Sequence, residues 1–323
     1  MKRFIRAAVG AALFGIATLA AAQGAAGYPG KPIRLVVPFT PGSATDVLGR
    51  AVGERLSAAW GQPVVVENVP GAGATIGTGQ VAKAAPDGYT LVVVSAGHVV
   101  NPVLYPKLTY ELKDLAGVIP LGTLPSVMVA SPQSGIKSMK ELMDQLKAKP
   151  GALNYASAGV GSAAHVHLAK LQAATGFNAQ HIPLKGTPQI LVEVASGRVE
   201  FAAVPLVSSV GQIKDGRVVP LAVSTPQRSP VLPDVPTAVE SGFPGAEFNF
   251  WVGMLAPAGT PRPILDKLNA EIARIIETPE MRDRLAKLGA EPMIMSPEKF
   301  DAFIADEARV LGAAMKAVGA KAE

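Results

Sequence analysis

The stretch IRLVVPFTPGSATD, residues 33–46, joins a strand to a helix through a glycine turn. Ile33–Val37 (IRLVV), apolar except for Arg34 and rich in β-branched residues, reads as a buried strand, and Pro38 stops it. The turn-forming PFTPGSATD (38–46) follows, and then Val47, Leu48, Ala51, Val52 and Leu56 recur at helical spacing until Gly61 offers a stop. Val64–Glu67 reads as a second strand, after which comes the glycine-rich NVPGAGATIGTG (68–79). A short helix is expected at 80–85. Pro86-Asp87-Gly88 then turns into the strand YTLVVV (89–94). Strand–helix–strand units of this kind build a mainly parallel α/β sheet flanked by helices.

The pattern then starts again. Val127–Ala130 is a strand, Ser138 can cap a helix to about Lys149, and Pro150-Gly151 leads to the strand LNYAS (153–157). AGVGSAAH (158–165) opens a further helix. Ile182–Leu184 and Val199–Val204 are strands around a helix near 187–196, and Leu221–Ser224 closes the series. A second βα set predicts a second lobe, residues 130–224, inserted into a first lobe made of 28–129 and 225–323. Leu265, Leu268, Ile272, Ile275 and Ile276 mark an amphipathic helix, and two more are expected near 280–288 and 297–317.

Composition excludes several functions. At 323 residues, with 49% hydrophobic and 17% charged side chains, the chain is no disordered polyelectrolyte and has room for two lobes. Its formal charge of +5 depends on a leader: taking Lys2, Arg3 and Arg6 from the 30 bases leaves 27 against 25 acids, or +2. That is no footprint for nucleic acid. The same three residues precede the apolar AAVGAALFGIATLA (7–20) and the small residues Ala20-Ala21-Ala22 before Gln23. This pattern marks residues 1–22 as an export signal cleaved near Ala22/Gln23, and the mature protein as soluble and periplasmic. The apolar run is too short and glycine-interrupted to span a bilayer. With no cysteine, disulfides, thiolate metal sites, thiol catalysis and lipidation at the cut are excluded.

Three segments bear candidate chemistry. In PFTPGSATD, amide N–H groups are left free where the helix begins, and Thr45 or Asp46 can cap it. Asp46 has two readings, a plain N-cap or an acceptor facing a ligand. GAGATIGTG (71–79) does not follow GxGxxG, Pro70 interrupts it and no acidic residue ends a following strand, so no dinucleotide cofactor is expected. Its glycines suit a close approach of backbone to a ligand or to the facing lobe. In SAGVGSAAHVH (157–167), Gly159 and Gly161 form a strand-to-helix turn and Ser162 is a good N-cap. An alternative reading makes Ser162 a hydrolytic nucleophile and His165 its base. Against it, there is no GxSxG, no orienting acid, and both residues lie within one helical turn. His165 and His167 point about 200° apart on a helix, and His98 and His181 lie in other segments, so no metal is expected. His98 follows the end of a strand, where open parallel sheets bind ligands. Trp251, in FNFWVG, serves either the core or a cleft.

Seven collinear stretches resemble the substrate-binding receptors of tripartite tricarboxylate transporters, the Bug family of periplasmic solute-binding proteins. They are YPGKPIRLVVPFTPGSATD (28–46), VVVENVPGAGA (64–74), APDGYTLVV (85–93), LNYASAGVGSAAH (153–165), PLKG (183–186), SPVLPDVPTAVESG (229–242) and WVGMLAPAGTPRPIL (251–265). The resemblance implies a two-lobe type II binding protein, a Venus flytrap. It would close on a small carboxylate without cofactor or catalysis and hand it to a membrane permease, acting as a monomer. A sensor-kinase ectodomain reading the loaded form is the alternative partner. The implied ligand residues are Phe39, Thr40, Gly42, Ser43 and Asp46 in one lobe, and Ser157, Gly159, Gly161, Ser162 and His165 in the other. Ala96, His98, Lys185 and Gly186 are implied nearby. Some positions depart from the family pattern: Ser43 replaces a usual glycine, Val69 a frequent basic residue and Leu184 a common tyrosine. Near Val204, where Asp or Asn is frequent, Val204 and Pro205 offer no side-chain hydrogen bond. These departures favour a mono- or dicarboxylate with an apolar or aromatic body.

Overall fold

The computed structural model describes residues 27–322, so the leader and its cleavage point lie outside the described residues. Strand β1 (Ile33–Val37) passes through the 38–43 turn into helix α1 (Ala44–Trp60), which ends on Gly61 in the left-handed region at φ 64°. Strand β2 (Val64–Asn68), helix α2 (Thr75–Ala82) and strand β3 (Thr90–Ser95) follow. Strands β4 (Leu115–Leu124) and β5 (Ser126–Ala130) are separated by Pro125 alone. The next segment holds α3 (Met139–Ala148), β6 (Asn154–Ser157), α4 (Ala163–Thr175), β7 (Gln180–Pro183) and α5 (Thr187–Ala195). After β8 (Phe201–Pro205), α6 (Leu206–Lys214) and β9 (Val219–Val223) comes β10 (Phe250–Pro257). Helices α7 (Arg262–Glu277), α8 (Pro279–Lys287) and α9 (Pro297–Ala317) end the chain.

Two five-stranded sheets result, in the orders β2-β1-β3-β10-β4 and β7-β6-β8-β5-β9. In each, one strand runs against its neighbours: β10 is antiparallel to β3 and β4, and β5 to β8 and β9. These are the first strands after the chain changes sheet. With one proline between β4 and β5, the extended chain runs straight on into the other sheet and arrives there with opposite sense.

Three sequence expectations move. The helix expected at 80–85 begins at Thr75, preceded by a 3-10 turn at Ala72–Ala74. Ser126–Val129, assigned by sequence to the first lobe, pair in the second sheet. The return crossover is also later than residue 225. Leu232, Val235, Ala238 and Ala246 pack in second-lobe clusters, and Thr237 bridges Val223.

Helix α7 buries one stripe, Ile264, Leu265, Leu268, Ile272, Ile275 and Ile276, as its spacing requires. Helix α4 is buried nearly all round. Its Ala163, Val166 and Ala169 join the first-lobe core, while Leu168 and Leu171 join a second-lobe cluster. It therefore belongs to both halves. No helix among the described residues is long and apolar enough to cross a membrane.

Candidate functional site

The carboxyl ends of the parallel strands in both sheets meet, and a cavity of about 20 Å³ lies between them. Phe39, Ser43, Ala44, Thr45, Ser95 and Phe250 line it from the first lobe. Ala158, Ser162, Ala163, Ala164, Thr187 and Pro205 line it from the second. No ionisable side chain is among them. The lining is instead built around helix starts: Ser43 is the N-cap of α1, Ser162 of α4 and Pro205 of α6, and Thr187 is the first residue of α5. Each such end carries partial positive charge and amides with no intrahelical acceptor.

Hydrogen-bond accounting shows which amides remain for a guest. In the first lobe, Ser43 N–H donates to Thr40 O at 3.2 Å and Gly42 N–H to Asp46 Oδ2 at 2.9 Å. The first intrahelical bond is Val47 N–H to Ser43 O, so Ala44 and Thr45 keep free amides toward the cavity. The Ser43 hydroxyl caps nothing and lies 3.2 Å from Thr45 Oγ1. Asp46 Oδ1 takes Arg50 Nε and Asn68 Nδ2, each at 2.9 Å. Burial alone would push the Asp46 carboxyl up, but the bonds from Arg50, Gly42 and Asn68 outweigh it and hold it below the ordinary carboxylate range.

In the second lobe, Gly159 N–H donates to Ser157 Oγ and Gly161 N–H to His165 Nδ1, both at 3.1 Å. Ser162 N–H goes to Gly159 O, and Ser162 Oγ accepts His165 N–H at 3.4 Å. The free amides are again those of the first helical residues, Ala163 and Ala164. Burial, helped by the neighbouring His181, pushes His165 down to about 3, and burial pushes His181 down to about 4. Both rings are neutral.

The lobes touch tightly beside the cavity. Tyr105 Oη donates to the Val160 carbonyl at 2.8 Å. A Cβ on Gly73 would lie 1.9 Å from that same oxygen, and one on Gly97 2.2 Å from Gly161 O. Gly186 leaves room for Thr40, whose buried hydroxyl has no partner among the described residues.

The family described as "Tripartite tricarboxylate transporter family receptor" matches residues 48–320. The chain belongs to the tripartite tricarboxylate transporter receptor family. Among solved structures, the periplasmic binding protein BugD is 34% identical, with a TM-score of 0.86, covering 92% of this chain and 100% of BugD. Rpa4515 of R. palustris, solved with adipate, is 31% identical at a TM-score of 0.87, covering 90% of this chain and 98% of its own. MatC from Rhodopseudomonas palustris, with bound malate, is 32% identical at a TM-score of 0.84, covering 89% of this chain and 99% of MatC.

In this receptor, the residues expected from sequence divide into three groups. Phe39, Ser43 and Ser162 line the cavity. Thr40, Gly42, Asp46, Ser157, Gly159, Gly161, His165 and Gly186 shape the turns around it; the Gly42, Gly159 and Gly161 amides and the Asp46 and Ser157 side chains are spent internally, while the Thr40 hydroxyl has no partner among the described residues. Asp46 is the third helical residue and not the N-cap. The remaining five lie elsewhere. Ala96 and Val204 are core residues. His98 is buried against Tyr110, stacked at 6.0 Å, and Lys185 is an exposed residue whose amide donates to Gln189. Trp251 is core: its Nε1 donates to Glu307 at 3.0 Å and its ring meets Phe300 and Phe303 edge-on. Lining the cavity but outside the expected set are Ala44, Thr45, Ser95, Ala158, Ala163, Ala164, Thr187, Pro205 and Phe250, each one position from an expected residue.

Proposed function

We propose that this receptor captures a small organic acid in the periplasm and delivers it to a tripartite tricarboxylate transporter permease, as a monomer and without catalysis. The observation that carries this reading is the convergence of four helix starts on a cavity with hydroxyls and apolar walls but no ionisable side chain. Free amides and dipoles suit a carboxylate, and the lack of a lining cation is no obstacle. Micromolar binding needs about 8 kcal/mol. Hydrogen bonds to a charged group contribute about 1.5–3 kcal/mol each, and a helix terminus about 0.3–1 kcal/mol more. Four to six such bonds, offset by ordering costs, reach that range.

Phe39, Phe250 and Pro205 supply an apolar wall, which supports a short mono- or dicarboxylate with an apolar body. The relatives solved with adipate and malate support a dicarboxylate, and adipate alone of the two has an apolar body. At about 20 Å³ the cavity holds little more than a water, so a guest of several carbons requires the lobes to part. The crossovers at Pro125 and before Phe250 are the proposed hinges.

A hydrolytic reading finds no support. Ser162 Oγ faces a backbone amide, and His165 Nδ1 is occupied by Gly161 N–H. A sensor-kinase partnership is favoured by no observation over the permease. Calorimetry and thermal-shift measurements with adipate, malate, benzoate, citrate and polar amino acids test the ligand class. Binding by the apolar-bodied acids is expected, and responses to polar amino acids or citrate alone would refute it. Loss of uptake of that acid in cells lacking the receptor tests delivery.

A further inference from the structure

The turn that opens α4 is held from behind by two histidines that do not line the cavity. His181, on β7, places Nε2 2.6 Å from Ser157 Oγ. The single Ser157 hydroxyl proton goes to Gly159 O at 3.0 Å, leaving Oγ to accept from Gly159 N–H and from the imidazole N–H. The His181 ring is sandwiched, Tyr155 on one side at 4.9 Å and 12°, His165 on the other at 4.3 Å and 3°. His165 in turn accepts Gly161 N–H at Nδ1. Between the two anchored amides, Gly159 and Gly161 adopt φ of 108° and 80°, a backbone that other residues resist.

We propose that His181 and His165 are positioning residues of the binding site: through Ser157 and Gly161 they fix the Gly159–Gly161 turn so that the free amides of Ala163 and Ala164 face the guest. By occupying the glycine amides they also restrict the guest to the helix start. The ring stack makes the two histidines one unit, so loss of either loosens both anchor points. The proposal rests on the binding reading above for its affinity readout only.

The test compares His181→Leu, His181→Gln, Ser157→Ala and the double variant His181→Leu with Ser157→Ala. Adipate and malate are the probes, with thermal melting and amide exchange measured alongside. Leucine removes the donor, and affinity is expected to fall about tenfold while the melting temperature changes little. Glutamine restores a donor at the Nε2 position and should recover affinity to within about threefold. The double variant should lose no more than the worse single one, because both act through one anchor. Exchange of the Gly159 and Gly161 amides should quicken about tenfold in His181→Leu. Wild-type affinity in His181→Leu would overturn the proposal, as would equal losses in the leucine and glutamine variants that track melting temperature. If the wild type binds neither acid, the binding reading fails, and amide exchange alone decides: unchanged Gly159 and Gly161 rates would overturn the positioning role.

Discussion

Asp46 organises the first turn by accepting three donors: Gly42 N–H behind it, Arg50 one helical turn ahead and Asn68 on the neighbouring strand. Asp46→Ala removes a buried carboxylate that three donors share and should cost about 2 kcal/mol, read as a lower urea midpoint at unchanged slope. A change below about 0.5 kcal/mol would show that water replaces the carboxylate fully. The histidines add a pH dependence. His98, His167 and His181 are pushed by burial to about 4, and His165 to about 3, all from 6.5. A depressed folded value means that the unfolded chain takes the proton first. The stability from these rings is therefore full above pH about 6.5 and is lost as pH falls toward 4, at up to about 1.4 kcal/mol per pH unit for each histidine. Urea midpoints at pH 7, 6, 5 and 4.5 check this, as do imidazole resonances that stay neutral to pH 5. At this scale the sequence pointed to the stretches that line the cavity, but often to the position beside the lining residue. Phe250 faces the cavity and Trp251 the core because neighbours on a strand point to opposite faces. Pro205 and Thr187 line it in place of Val204 and Gly186, since which residue of a turn faces inward depends on how the two lobes meet.

Helix α4 ties the site to the hinges. At its N-terminus Ala163 and Ala164 line the cavity. One turn on, His167 Nδ1 lies 3.0 Å from Ser126 Oγ and Nε2 3.2 Å from Ala246 O, and the ring stacks on Phe248 at 5.0 Å. Ser224 Oγ completes the stitch, accepting Ser126 N–H and donating to Phe248 O, both at 3.0 Å. Both crossovers are thus bonded to one helix or to each other. The strand and helix series of each lobe was legible because its periodicities are local. The lobe boundary at 129/130 cut through the strand that opens the second series because pairing is not local: nothing in SVMVA says where the chain passes from one sheet to the other. The 3-10 turn before α2 has a similar cause, since Gly73 matters through its contact with Val160 in the other lobe. Gly73→Ala puts a methyl 1.9 Å from that carbonyl, at a φ of 59° that disfavours alanine. Solution scattering should show an expanded molecule with unchanged helix content by circular dichroism. A compact variant would mean that the 72–74 turn yields cheaply.

Beside the cavity the two halves touch through backbone and glycine, at Gly73, Gly97 and Gly161, so a few groups there set the balance between open and closed. Tyr105 is the clearest of them. Burial, with a smaller contribution from Tyr110, pushes its hydroxyl up to about 12, so it stays protonated and donates to Val160 O throughout the physiological range. Tyr105→Phe keeps the ring and removes only this bond across the cleft. One intramolecular hydrogen bond contributes about 1 kcal/mol net, so the closed-to-open ratio of the ligand-free protein should fall about fivefold. Dye pairs placed on α3 and α8, one in each lobe and remote from the cleft, would read that ratio by single-molecule energy transfer. The expected result is a larger open fraction in Tyr105→Phe, with the unfolding midpoint of each lobe unchanged. Equal open fractions in the variant and wild type would mean that water takes the Val160 carbonyl without loss, and that closure is held by packing around Gly73 and Gly97 instead.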